Sequence, residues 1–257
     1  MTPEFDLVNN LFGWGDPGNP QRRGIWFVGI EEFDRWGTAE HVNQFFKKRQ
    51  VVDNFVVEEV IPQDQRFPDS TGQVANFTSK IVCSFSPEIQ RMFPGVLESH
   101  EQQEKAWRRY RETLLWYSGT GVCNANLFPL GKRLSKDPLP EHSKTLFGFG
   151  PKDMEAYKQH VRKARFPRMR ERWEACSPQA TICYVDQSRK EEVQALFWGY
   201  RAGDEVAPVW QNLPLDILCN NVKRILISPH FSYGRMSDDR ARVLIEQLKA
   251  WRTVLPK

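Results

Sequence analysis

Four short segments of this chain are apolar throughout rather than alternating, and that pattern restricts the fold more than any other feature. They are "GIWFVG" (24–29), "GVCNANLF" (121–128), "TICYVD" (181–186) and "RILIS" (224–228). Strands that are hydrophobic on both faces belong to parallel sheets covered by helices on each side. Helical patterns separate the four. "SHEQQEKAWRRYRETLLWYS" offers Ser99 as a cap, with Trp107, Tyr110, Leu114 and Leu115 at helical spacing. "PKDMEAYKQHVRKARF" starts at Pro151, and Pro167 should stop or kink it. "SRKEEVQALFWGY" carries a Ser188/Glu191 capping box. The last helix has Ser237 as its cap, Asp238 and Asp239 in its first turn, and Val243, Leu244, Leu248 and Trp251 as an apolar stripe. Strands alternating with helices predict an α/β protein: a three-layer α/β/α arrangement around a four-stranded, mainly parallel sheet. Its crossovers are expected to be right-handed.

The rest of the chain is less regular. "LFGWGDPGNPQRRG" reads as a turn-rich surface lead-in to the first strand. Residues 34–98 read as an insertion carrying a helix and irregular loops, within one domain spanning 1–257. "FFKKRQVVDNFVVEEV" inside it fits helix, strand or both. No run of eighteen apolar residues is present, so no membrane span is expected. The start lacks the features of a secretory signal. Five widely spaced cysteines without a C-x-x-C pair argue against a disulfide framework or a cysteine-only zinc site, and favour a reducing cytoplasm.

Charge is unevenly distributed. "KQHVRKARFPRMRER" (158–172) holds seven Lys/Arg and one Glu, in a chain whose net charge is +4. Such a run is either a solvated helix face or a patch that attracts phosphates.

Ligands of open parallel sheets bind beyond the carboxyl ends of the strands. Glu31 and Glu32 follow the first strand, Asn124 and Asn126 lie in the second, Asp186 and Gln187 follow the third, and His230, Ser232 and Tyr233 follow the fourth. A carboxylate, an amide and a histidine meeting at one edge suit a reaction that develops charge at a sugar or a base.

These segments resemble, in order and type, the uracil-DNA glycosylase superfamily. Its first motif, in the form G-Q-D-P-Y or G-E-A-P-G, is similar to "VGIEEFDRWG". Its middle-strand motif, L-L-N-A-V or T-N-V-V-K, is similar to "VCNANLFPLGK". Its last motif, H-P-S-[PY], is similar to "PHFSYGRM". The resemblance spreads over positions 25 to 251 and is clear only at the strand-end motifs and the last helix. It implies catalytic roles for Glu31 and His230. It further implies base contacts from Asn126 or Asn124, from Phe33, which matches the aromatic at the uracil C5 edge, and from Phe77, which matches a stacking ring. The loop Ser232-Tyr233-Gly234-Arg235-Met236 corresponds to the segment that enters DNA. Met236 either inserts as a wedge or packs against its own helix. Arg235, together with Arg162 and Arg165 of the basic run, would hold phosphates. The chain departs from the family pattern where the first motif lacks Pro and where Phe231 replaces the Pro of the last. The iron–sulfur cysteines of the thermostable branch are absent, so no cluster and no cofactor or metal is expected.

What the resemblance implies is a monomeric DNA glycosylase, hydrolysing the N-glycosidic bond of uracil or another deaminated or damaged base flipped out of single- or double-stranded DNA. Two alternatives share the same residues: a nucleic-acid-binding protein on this fold with lost or altered catalysis, and a hydrolase of free nucleosides or nucleotides.

Overall fold

The computed structural model describes residues 9–31, 50–52, 54–57, 69–97, 99–130, 138–200, 207–231 and 234–253. All four expected strands are present: β2 (Ile25–Glu31), β5 (Val122–Phe128), β6 (Ala180–Cys183) and β9 (Ile225–Ile227). They lie side by side in the order β5-β2-β6-β9, and each neighbouring pair is parallel. Hydrogen bonding continues past β6 and β9, from Tyr184 N–H to the Val28 carbonyl and from Asp186 N–H to the Ser228 carbonyl. The carboxyl ends of the strands are thus held in register with one another.

The sheet is larger and more mixed than the four-stranded, mainly parallel one expected. On the β5 side it continues through β1 (Gly13–Gly15), β4 (Phe55–Val57) and β3 (Gln50–Val52). On the β9 side it continues through β8 (Ile217–Asn220) and β7 (Gln211–Leu213). Four of the eight neighbouring pairs are antiparallel. The described part of "FFKKRQVVDNFVVEEV" is the β3–β4 hairpin.

The most consequential correction concerns the supposed surface lead-in. Residues 11–18 are buried, and β1 runs antiparallel to β5 inside the sheet. Glycine makes this possible: a Cβ at Gly13 would stand 1.9 Å from the Asn124 carbonyl oxygen, and Gly15 takes φ +94°. The same glycines that read as turn signals let two backbones come together. Asp16 closes the segment by accepting hydrogen bonds from the Gly18 and Gly121 N–H groups and pairing with Arg22 at 2.6 Å.

Helices cover both faces. One face carries α1 (Asp69–Phe85), α2 (Pro87–Met92), α3 (His100–Thr113) and, at the end of the chain, α8 (Asp238–Thr253). Their apolar residues, among them Ala75, Ile81, Tyr110, Leu244 and Leu248, pack with Ile25, Phe27, Ile182 and Leu226 of the sheet. A short α4 (His142–Phe147) leads to the other face, built from α5 (Met154–Ala164), α6 (Phe166–Cys176) and α7 (Lys190–Trp198). There Tyr157, Phe166, Trp173 and Phe197 pack with Trp26, Val28, Cys183 and Ile227. Alternate residues of β2 enter the two cores in turn, as a strand buried on both faces requires.

The helix boundaries follow the sequence unevenly. Pro167 ends one helix and sits in the first turn of the next, so the basic run spans two helices. Ser237 Oγ accepts from the Arg240 N–H at 3.3 Å and caps α8. The Ser188/Glu191 box does not form: Gln187–Arg189 is a 3-10 turn, and α7 begins after Arg189. α1, seventeen residues long, falls in the segment 34–98, where a helix with irregular loops was expected. Among the described residues, no helix is long and apolar enough to cross a membrane.

Candidate functional site

Four adjacent parallel strands deliver their carboxyl ends to one edge, and of the site residues named from the sequence Glu31, Asn126, His230 and Arg235 sit at or beside it. Glu31 is the last residue of β2, in register with Phe128 of β5; its side chain lies outside the described ones. Two positions earlier, Gly29 pairs with Asn126. A Cβ at Gly29 would stand 2.7 Å from Tyr184 Oη and 2.8 Å from Asn126 Oδ1. Only glycine leaves room for those two polar atoms over the strand. Tyr184, just beyond β6, donates from Oη to Asn124 Oδ1 at 2.5 Å. Both asparagines are therefore gathered around one phenol, and Asn126 is the more deeply buried of the two, at 5% exposure.

His230 follows β9 and Pro229. Its ring meets the Tyr184 ring edge-on, with centroids 5.4 Å apart. Burial pushes its pKa below the ordinary value of 6.5, against an opposing pull from Asp186, so the imidazole is neutral at neutral pH. Phe231, where the resembling family has Pro, is fully buried and stacks on Tyr184 at 4.7 Å. Phe77 of α1 packs against Phe231 at 6.0 Å. Phe77, Phe231 and Tyr184 thus form a continuous aromatic column under the site, and Phe77 supports Phe231.

Asp186 is the strained residue of the site. It holds φ 62° and ψ 155°, a region that is essentially glycine's and costs about 1–3 kcal/mol for other residues. One carboxylate oxygen accepts from the His230 N–H at 3.3 Å, and the other pairs with Arg235 at 2.6 Å. A cavity of about 320 Å³ opens beside it, lined by Asp186, Gln187, Asp216, Pro229, Arg235 and Arg240. Its far wall is the β7–β8 turn, where Leu215 and Asp216 both take φ 62°. Arg240 ties that turn to the His230 loop by donating to the carbonyls of Leu215 and Arg235, at 3.2 and 2.5 Å.

Three expected DNA contacts take other roles. Arg165 is 1% exposed and donates to the carbonyls of Asn9, Leu11, Phe12 and Asn126 at 2.6–3.2 Å. It cross-braces the buried N-terminal segment against β5 and cannot reach a phosphate. Met236 is 6% exposed within the α1/α3/α8 core, so it packs inward and is not a wedge. Arg162 pairs with Glu155 at 3.5 Å and Glu192 at 3.4 Å. Elsewhere in the basic run, Arg168 bonds Asn10 and Arg170 reaches the carbonyls of Ala195 and Leu196. Much of the run's charge is therefore spent on intramolecular contacts. Arg235 remains mostly exposed at the cavity mouth. Phe33, Ser232 and Tyr233 lie outside the described residues.

Among the described residues no three His, Cys, Asp or Glu side chains cluster as metal ligands. Tyr184 and Arg240 were not singled out as site residues by sequence reasoning. Tyr184 had one available signal, a polar aromatic two residues before the strand-end Asp186. No protein-family model matches this chain, and no curated protein sequence matches it.

Proposed function

We propose that this protein is a glycosylase that hydrolyses the N-glycosidic bond of uracil or another deaminated or damaged base in DNA, on a uracil-DNA glycosylase-like fold. One observation carries the reading: Glu31, Asn126 and His230 come from the carboxyl-end side of three strands within a four-strand parallel block, with Asn124 one step back along the same face of β5. Cleaving the bond leaves its electron pair on the base nitrogen and positive charge on the sugar. A carboxylate at Glu31 stabilises that cation and orients the water that adds to the anomeric carbon. Neutral His230 donates a hydrogen bond to the base oxygen as negative charge builds there. A side-chain amide, from Asn126 or Asn124, offers the paired donor and acceptor that a base edge requires.

The test is a panel of oligonucleotides carrying uracil and other lesions, single- and double-stranded, assayed by alkaline strand scission. Abasic product that disappears with Glu31→Gln and His230→Ala supports the reading. No product across the panel overturns it.

A second reading, a hydrolase of free nucleosides or nucleotides, is favoured by the fates of Met236, Arg162 and Arg165. The buried or paired state of these residues removes the wedge and much of the phosphate-binding patch, neither of which a small substrate needs. Base release from deoxyuridine or its monophosphate, without release from oligonucleotides, selects it.

A further inference from the structure

We propose that Asp186 is a positioning residue that acts through His230, an inference resting on the glycosidic-bond reading above. The geometry is specific. Asp186 occupies a backbone conformation suited to glycine, yet carries a side chain whose two oxygens are both engaged. Oδ1 receives the His230 main-chain N–H, and Oδ2 receives Arg235. The backbone around it is pinned: its N–H donates to the Ser228 carbonyl, and its own carbonyl accepts from the Arg189 N–H. The turn after β6 is thereby locked to the segment after β9, and the lock falls on the residue proposed to donate to the leaving base. Strain at such a position persists only where the surroundings over-determine it, and it collects at functional sites. Asp186 also faces the cavity, so it joins the His230 backbone to the wall of the space a ligand would enter.

Charged and titratable groups facing His230 include Asp186 from the β6 end, Arg235 from its own loop and Tyr184 across the ring contact. Of these, Asp186 favours the imidazolium, whereas Arg235 opposes it. Removing the negative charge must therefore lower the pH at which the ring titrates.

The experiment uses the full chain with Asp186→Asn, Asp186→Ala, His230→Ala and the Asp186→Ala/His230→Ala pair. Asparagine keeps an oxygen for the His230 N–H and has the shape of aspartate, so it adds no backbone strain beyond what Asp186 already carries and guards against simple failure to fold. Expected results on the oligonucleotide identified above are a kcat loss of up to about 100-fold for Asp186→Ala with little change in KM, as misplacement of a reacting group produces. Asp186→Asn should retain most of the rate. The double variant should be no slower than His230→Ala alone. By NMR, the His230 ring should titrate at lower pH in Asp186→Asn, and its amide should exchange faster in Asp186→Ala. Additive losses, an effect on KM alone, or an unchanged His230 amide and ring would overturn the proposal. Should the wild-type chain release no base from any substrate, the glycosidic reading fails by itself. The NMR arm then decides whether Asp186 holds His230.

Discussion

Replacing Arg165 by methionine tests how the N-terminal segment is held in the sheet. The guanidinium is 1% exposed and supplies hydrogen bonds to four main-chain carbonyls, those of Asn9, Leu11, Phe12 and Asn126. A hydrogen bond to a charged donor is worth about 1.5–3 kcal/mol net, and a buried acceptor left unpaired costs about 1–3 kcal/mol. Four such terms do not add, because the carbonyls share one donor and methionine also removes the cost of burying a charge. With the carbonyls unpaired at about 1–3 kcal/mol each and the burial cost of the guanidinium removed, about 3–5 kcal/mol of destabilisation remains. At roughly 2–4 °C per kcal/mol for a chain of this size, the melting temperature should fall by about 10 °C. The assay is urea denaturation with intrinsic tryptophan fluorescence, comparing midpoints at unchanged slope. Arg168→Met is the control: its side chain lies three residues on, in the first turn of α6, is exposed, and bonds only Asn10 among the contacts described, so it should cost about 0.5 kcal/mol or less. An Arg165→Met variant within about 1 kcal/mol of wild type would refute the bracing argument.

Gly29→Ala introduces a Cβ 2.7 Å from Tyr184 Oη and 2.8 Å from Asn126 Oδ1. Overpacking of this kind costs about 1–3 kcal/mol, and base release should fall further than stability because both displaced atoms belong to the site; a thermal melt and the scission assay run in parallel separate the two. The folded-state pKa of His230 lies below its ordinary value, so the folded state binds fewer protons than the unfolded chain. Stability should therefore decrease as pH drops below about 6.5, and His230→Gln should flatten that dependence in denaturation curves taken at pH 5 to 7. All five cysteines are buried, and burial raises the thiols of Cys83, Cys123 and Cys183, with Cys219 pushed up to about 11. A native sample at pH 8 should resist a thiol reagent and react at all five positions in guanidinium; fast modification in the native state would contradict the burial.

The central strands were legible because a strand buried on both faces leaves a local mark, an unbroken apolar run such as Ile225-Leu226-Ile227. The strand-end rule then collected Glu31, Asn126 and His230 without reference to any contact. The remaining features depend on contacts between distant segments. Gly13 and Gly15 have the same composition in a turn as in a strand pressed against β5, and only the approach of the β5 backbone, which leaves no room for a Cβ at either position, distinguishes the two. Arg165 lies among six other basic residues of 158–172, and its neighbours gave no sign that it is buried against the carbonyls of the N-terminal segment and β5. A helix was expected within 34–98, but its position was not legible, because Gly72 and the polar residues around it weaken a helical pattern that packing against α3 and α8 sustains.

Phe231 has the most informative outcome. As a departure from H-P-S-[PY] it counted against the resemblance. In the structure it fills the space between Phe77 and Tyr184, and Tyr184 in turn holds Asn124. A proline cannot span that gap, so the aromatic residue at 231 and the tyrosine at 184 are two parts of one packing solution. The aromatic residue at 231 therefore follows from how this sheet supports Asn124 through Tyr184. It leaves Glu31→Gln and His230→Ala, and not Phe231, as the substitutions that bear on chemistry. A Phe231→Leu variant separates the two roles. It opens a void behind Tyr184 and should lower stability by about 1–3 kcal/mol, while base release should fall only as far as Tyr184 and Asn124 shift. Loss of base release with the thermal melt unchanged would mean that Phe231 touches substrate and that the packing account is wrong.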